Sequence, residues 1–179
     1  MTGWLRRVIE RIAGPSVPEG FTGSLDATEH VLAVAEARTG GHLVASSFGL
    51  WLPDGRRIGW HVLSKASWSS GWLTLVEAEE VGRAGEAVLL RDRRPLRFGL
   101  IAPGALPDTV HRRVTGSIRS SQHQDLPGGG AWFVQRRVPG RDGVVLQVRA
   151  DDGTDAGAVE RVAAEVAAKL RAARDAARR

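Results

Sequence analysis

Five histidines, His30, His42, His61, His111 and His123, are the residues of this 179-residue chain with the widest chemical range, as general bases or as metal ligands. None stands in an H-E-x-x-H or H-x-x-x-H spacing, so no helix face presents two of them to one ion. Cysteine is absent, which removes disulfides, zinc-thiolate sites, iron-sulfur clusters and thiol nucleophiles. Ser46 or Ser47 with His61 and Asp54 has the composition of a hydrolytic triad, but no G-x-S-x-G turn presents either serine. Gly128-Gly129-Gly130 lacks both the Gly-Lys-Ser/Thr ending of a nucleotide loop and the spacing of a dinucleotide fingerprint, and reads as a plain linker. The carboxylate pairs Glu79-Glu80 and Asp151-Asp152 fall in expected loops beside other charges, where solvation is the default. The expectation is no catalytic residue, no metal and no cofactor, with an enzyme built from dispersed residues kept as one alternative.

Charge is the second source of chemistry. Lys and Arg total 25 against 20 Asp and Glu, and all the cations but Lys65 and Lys169 are arginine. With abundant Ala, Gly and Val, that arginine dominance points to a GC-rich bacterial genome. Residues 91–137 hold nine arginines against three aspartates, whereas the first eighty residues are slightly acidic. Arg93, Arg94, Arg97, Arg112, Arg113, Arg136 and Arg137 are therefore candidate contacts for a protein partner or for the phosphates of RNA, DNA or anionic lipid. At the N-terminus Trp4, Leu5, Val8, Ile9 and Ile12 recur at helical spacing, with Arg6, Arg7 and Arg11 on the other face. Such a basic amphipathic helix suits its own domain, a partner or a membrane surface. It is too short and too charged for a signal peptide, and no window of about 20 apolar residues exists, so a cytoplasmic protein without a transmembrane segment is expected.

The elements that must position these residues are mostly strands. A helix over 1–13 is followed by a Pro/Gly linker over 14–28, and residues 29–176 are expected to form a single domain. Alternation over Val31–Ala35, Leu43–Leu52, Ile58–Val62, Trp72–Glu77, Val88–Arg91 and Leu96–Ile101 predicts strands, with a loop over 79–86. Leu106, Val110 and Val114 predict an inserted helix within 103–115. A strand over 118–124, a hairpin of 131–138 with 144–150, and a C-terminal helix striped by Val159, Val162, Val166 and Leu170 complete the order. The fold class is mainly β, an α+β antiparallel curled sheet or partly open barrel with the terminal helix as its stopper. Six tryptophans without tyrosine, four of them (Trp51, Trp60, Trp68, Trp72) close in sequence, are expected chiefly in the core, with an interface as the alternative.

The residues between 29 and 77 add a resemblance. Glu29 opening the first strand, Leu43-Val44-Ala45-Ser46-Ser47 in the second, and Ile58-Gly59-Trp60 followed by Ala66-Ser67-Trp68 resemble bacterial domains of the pleckstrin-homology-like type, most closely an actinobacterial branch. Ser46-Ser47 replaces the usual threonines and Gly59 the usual proline. The resemblance covers about 50 residues well and extends loosely to residue 101. It implies a non-catalytic binding or scaffold module with a protein partner or self-association.

Overall fold

The computed structural model describes residues 15–141 and 143–179. The expected N-terminal helix, with Trp4, Arg6, Arg7 and Arg11, lies outside the described residues. The protein is mainly β with two helices among them, and one sheet curls strongly into a half-barrel. The chain divides into two compact units: unit 1 holds residues up to Glu77 together with Arg94–Thr115, and unit 2 holds Ala78–Arg93 with Gly116–Arg179.

Unit 1 begins with an antiparallel meander of β1 (Val31–Glu36), β2 (His42–Ser46), β3 (Gly49–Trp51) and β4 (Arg57–Gly59). The strand expected over 43–52 is two strands, because Ser46 Oγ accepts the amides of Phe48 at 3.2 Å and Gly49 at 3.1 Å and reverses the chain. After a 3-10 turn at Trp60–Val62, β5 (Leu63–Ser69) pairs with the first half of β6 (Trp72–Ala84), whose other side takes β8 (Leu96–Gly99). An antiparallel bridge between Ala37 and Leu100 continues the pairing at the end of β1. Leu43, Leu50, Ile58, Trp60, Leu63, Leu73, Leu75 and Leu100 are buried in one core. Helix α1 (Leu106–Gly116) adds Leu106, Val110 and Val114 to it, the stripe its i, i+4, i+8 spacing predicts.

Unit 2 is built from the second half of β6, then β7 (Ala87–Asp92), β11 (Val144–Ala150), β10 (Gly129–Arg137) and β9 (Ile118–Leu126), in that spatial order. All these pairings are antiparallel except β7 with β11, which is parallel. Helix α2 (Ala156–Ala177) starts at Asp155, whose side chain accepts the Ala158 amide at 2.7 Å. It packs on Ala84, Ala87, Ala131, Phe133, Leu146 and Val148. The terminal helix thus belongs to the core of unit 2, and the helical stripe of the unit 1 core comes from α1. The buried residues of α2 are Ala158, Val159, Ala163 and Ala167, with Val162, Val166 and Leu170 only partly buried: small side chains let a helix approach a sheet closely, and most of the branched residues flank the seam.

Two expected irregular segments are regular. Residues 79–84 of the loop placed at 79–86 are the second half of β6, pairing with β7 through a bulge between Glu80 and Gly82, and only Gly85-Glu86 turns the chain. Its acidic look is balanced across the ladder, where Arg91 and Arg93 meet Glu79 at 2.8 and 3.1 Å. The linker placed at 128–130 is a hairpin, with Gly129 opposite Leu126 and Pro127-Gly128 as the two-residue turn. Gly128 has φ of +84°, which glycine adopts without strain. Part of the expected 14–28 linker is packed, since Phe21 meets the Trp51 ring edge-on at 5.4 Å and Leu25 joins the same cluster.

The meander is tied by one buried carboxylate. Glu29, with its side chain fully buried, accepts hydrogen bonds from Trp51 Nε1 at 2.9 Å and the Asp26 amide at 3.0 Å, and from the Ser46 hydroxyl and the Arg57 guanidinium. Arg57 also pairs with Asp26 at 2.9 Å and lies over the Trp51 ring at 5.1 Å. Trp60 Nε1 donates to the Ser46 carbonyl at 2.9 Å. Removing one partner of a buried charge pair leaves the others unsatisfied, so Glu29→Ala is expected to cost about 3–5 kcal/mol in urea denaturation followed by tryptophan fluorescence. A loss below about 1 kcal/mol would contradict this role for the carboxylate.

Candidate binding surface

The aromatic cluster anticipated in the core divides. Trp51 and Trp60 are buried, whereas Trp68 and Trp72 are exposed at either side of the Ser70-Gly71 turn that joins β5 to β6. Period two accounts for Trp72: Leu73 and Leu75 point into the core, so Trp72 and Thr74 take the outer face. Ser70 and Gly71 both have positive φ, 50° and 79°, as a tight reversal of this hand requires.

Two guanidiniums lie over the Trp72 ring, Arg97 at 5.0 Å and Arg38 at 5.7 Å from its centroid. Arg97 comes from β8, where it faces Thr74, the outward neighbour of Trp72. Arg38 follows β1, and its position is set by backbone: its amide donates to the Gly99 carbonyl at 2.8 Å, and the Leu100 and Ile101 amides donate to Gly71 and Glu36 carbonyls. Its Nε donates to the Leu100 carbonyl at 3.3 Å. The stem passes over Gly99 and the guanidinium over Gly71. A Cβ at Gly99 would stand 2.9 Å from Arg38 Cδ, and one at Gly71 would stand 2.7 Å from Nη2. Since Gly99 is directly opposite Trp72 in the ladder, the missing side chain leaves the room through which Arg38 reaches the indole.

Neither Arg38 nor Arg97 makes an ion pair among the described residues. A guanidinium stacked on a ring keeps its N–H edge outward, and that edge matches a carboxylate or phosphate in two-point geometry. The exposed Trp72 supplies apolar area beside it, with Ile101, 59% exposed, close by in sequence to Gly99.

The arginines selected from sequence do not share one surface element. Arg94, Arg97, Arg112 and Arg113 belong to unit 1, and Arg93, Arg136 and Arg137 to unit 2. Arg93 is engaged by Glu79, whose carboxyl is held below its usual range by the hydrogen bond from Arg91 and by the charges of both arginines. Arg112 reaches Thr109 Oγ1 at 3.4 Å, while Arg94, Arg113 and Arg137 are exposed. Arg136 is buried in unit 2, and burial together with the charge of Arg149, opposed by Asp92, pushes its guanidinium down to about 10. It is no surface contact. The sequence reading missed Arg38, which stands alone in an acidic stretch and enters the site only through the Ala37–Leu100 bridge.

Elsewhere, His123 of β9 contacts Asp151 at 2.7 Å and the Trp132 ring edge-on at 5.1 Å, an exposed cluster in unit 2. No group of three or more His, Asp or Glu side chains suited to a metal ion occurs among the described residues, and none of their helices is long and apolar enough to cross a membrane. No protein-family model, curated protein or solved structure matches the chain.

Gly99 has ordinary backbone angles, so alanine is tolerated there and only the flexible Arg38 stem must yield. Gly99→Ala is expected to change stability by less than about 1 kcal/mol while raising acrylamide quenching of the exposed tryptophan fluorescence. Unchanged quenching would show that Arg38 does not shield Trp72.

Proposed function

We propose that this chain is a non-catalytic binding module of the cytoplasm, with a pleckstrin-homology-like unit 1 whose contact surface is Arg38, Trp72 and Arg97 and whose partner is an acidic segment of another protein. The observation that carries this reading is the exposed Trp72 indole under two guanidiniums that have no carboxylate partner among the described residues. A solvent-facing tryptophan and arginines are the residue types that dominate protein interfaces, and a stacked guanidinium loses less freedom when it meets a carboxylate.

Support for the pleckstrin-homology-like reading is topological. Unit 1 has a four-stranded meander, a further set of three strands, β5, β6 and β8, and a helix whose apolar stripe enters the core. Two residues that carry the resemblance, Glu29 and Trp60, are both wired to Ser46, which stands where a threonine is usual. Phosphate-backbone recognition through residues 91–137 is the weaker alternative, because Arg91 and Arg93 are engaged by Glu79 and Arg136 is buried.

The test is a peptide array varied in Asp and Glu content, probed with the full chain, Trp72→Ala and the double variant Arg38→Gln/Arg97→Gln. Retention of acidic peptides should fall about tenfold or more in both variants, with circular dichroism unchanged. Equal retention of neutral peptides, or a steep salt-dependent affinity for RNA that survives both variants, would reject the proposal.

A further inference from the structure

Strand β9 is the outer strand of unit 2, and among the described residues it pairs with β10 alone. Every residue from Ile118 to Asp125 is exposed, so both of its faces and its outer edge meet solvent. An edge of this length presents a row of unpaired amides and carbonyls that another strand can take up. Proteins commonly blunt such edges with charges, proline or bulges. Here the bulge falls at Arg119, between the pairings of Ser120 with Gln135 and Ile118 with Arg136, and Ser120 to Leu126 keeps a regular register.

We propose that the outer edge of β9 pairs antiparallel with the same strand of a second copy of this chain, about a two-fold axis through Gln122. Successive residues of a strand direct their amides to opposite edges, so a symmetric antiparallel pair must centre on a residue rather than between two. Three centres lie in the middle of this strand. Centring on Ser121 places Arg119 opposite His123, and centring on His123 places Arg119 opposite Pro127. Centring on Gln122 places Arg119 opposite Asp125, Ser120 opposite Gln124 and Ser121 opposite His123, each of them twice. Only this register is complementary in charge. Both charged side chains are available for it: Arg119 makes no ion pair among the described residues, and the Asp125 side chain is 99% exposed, with only the looser approach to His123 Nδ1 at 3.7 Å. Asp125 lies on the side of the strand that carries His123 against Trp132, and Arg119 is the bulged residue at the end of the regular register, where the strict alternation stops. Polar side chains at 120–124 suit a pairing held by main-chain hydrogen bonds, with the two ion pairs selecting register.

The experiment is sedimentation of the full chain over a concentration series reaching about 1 mM, for the wild type, Arg119→Asp, Asp125→Arg and the doubly exchanged chain. A reversible dimer is expected. Each single reversal brings like charges together at two symmetry-related places and should weaken it about tenfold or more, and the double exchange should restore it. These positions are on the surface, and unchanged circular dichroism establishes that each variant folds. Because the chain has no cysteine, Gln122→Cys supplies one thiol per copy. It should oxidise to a covalent dimer, whereas Ser120→Cys, with its two copies about 13 Å apart along the strands, should not. A wild type that stays monomeric throughout, a dimer indifferent to the reversals, or equal cross-linking at 120 and 122 would each overturn the proposal.

Discussion

A carboxylate withdrawn from water must have its oxygens filled by donors, and in unit 1 that requirement falls on Glu29. Its donors come from four successive places in the chain: the Asp26 amide before β1, the Ser46 hydroxyl at the end of β2, the Trp51 indole at the end of β3, and the Arg57 guanidinium at the start of β4. Shifting any one of these strands by a residue would turn its donor to the other face, so the carboxylate selects the register of the whole meander. The motif residues that suggested a family are explained by this wiring. Glu29, Ser46 and, through the Ser46 carbonyl, Trp60 act as parts of a scaffold, which is why they carry no ligand-binding geometry of their own.

The surface assembled around Trp72 has a different origin. Its three side chains come from β6, β8 and the second residue beyond β1, and are brought together by pairing that no local pattern encodes. Guanidinium stacking adds about 0.5–1 kcal/mol per contact at an exposed site. Their value is in holding two cations in fixed places with their polar edges outward. The linear cluster of arginines over 91–137 has the reverse character: adjacent in sequence, its members are separated by strand alternation and by membership of two units, and part of its charge is cancelled by Glu79.

Elements with strong periodicity were legible before any coordinates. Leu106, Val110 and Val114 marked α1, whereas Trp72 was expected in the core with its neighbouring tryptophans although the alternation of Leu73 with Leu75 turns it to the outer face. The second half of β6 was not legible, because Glu79, Glu80 and Gly82 resemble a loop until Arg91 and Arg93 pair with Glu79 and Arg83 with Glu80. The triple glycine misled for a related reason. Only Gly128 serves the turn, while Gly129 and Gly130 continue β10 next to Thr154, whose hydroxyl bonds both the amide and the carbonyl of Gly130. The terminal helix was oriented by its valines, but alanine sets the distance of closest approach to a sheet, and hydrophobicity alone ranks it too low. Arg38 could not be found by any local rule, since its partner Trp72 is brought to it by the bridge between Ala37 and Leu100.

The interleaving of the two units bears on the order in which the chain can be completed during synthesis. Unit 1 gathers its last core side chain at Val114, before any of β9, β10 or β11 has been made. Ala78–Arg93 emerges earlier but finds its parallel partner β11 only after Val144, more than fifty residues later. A growing chain therefore carries a completed unit 1 with a β6–β7 arm that has one open flank, and the ribosome must deliver the rest of unit 2 before that flank is covered.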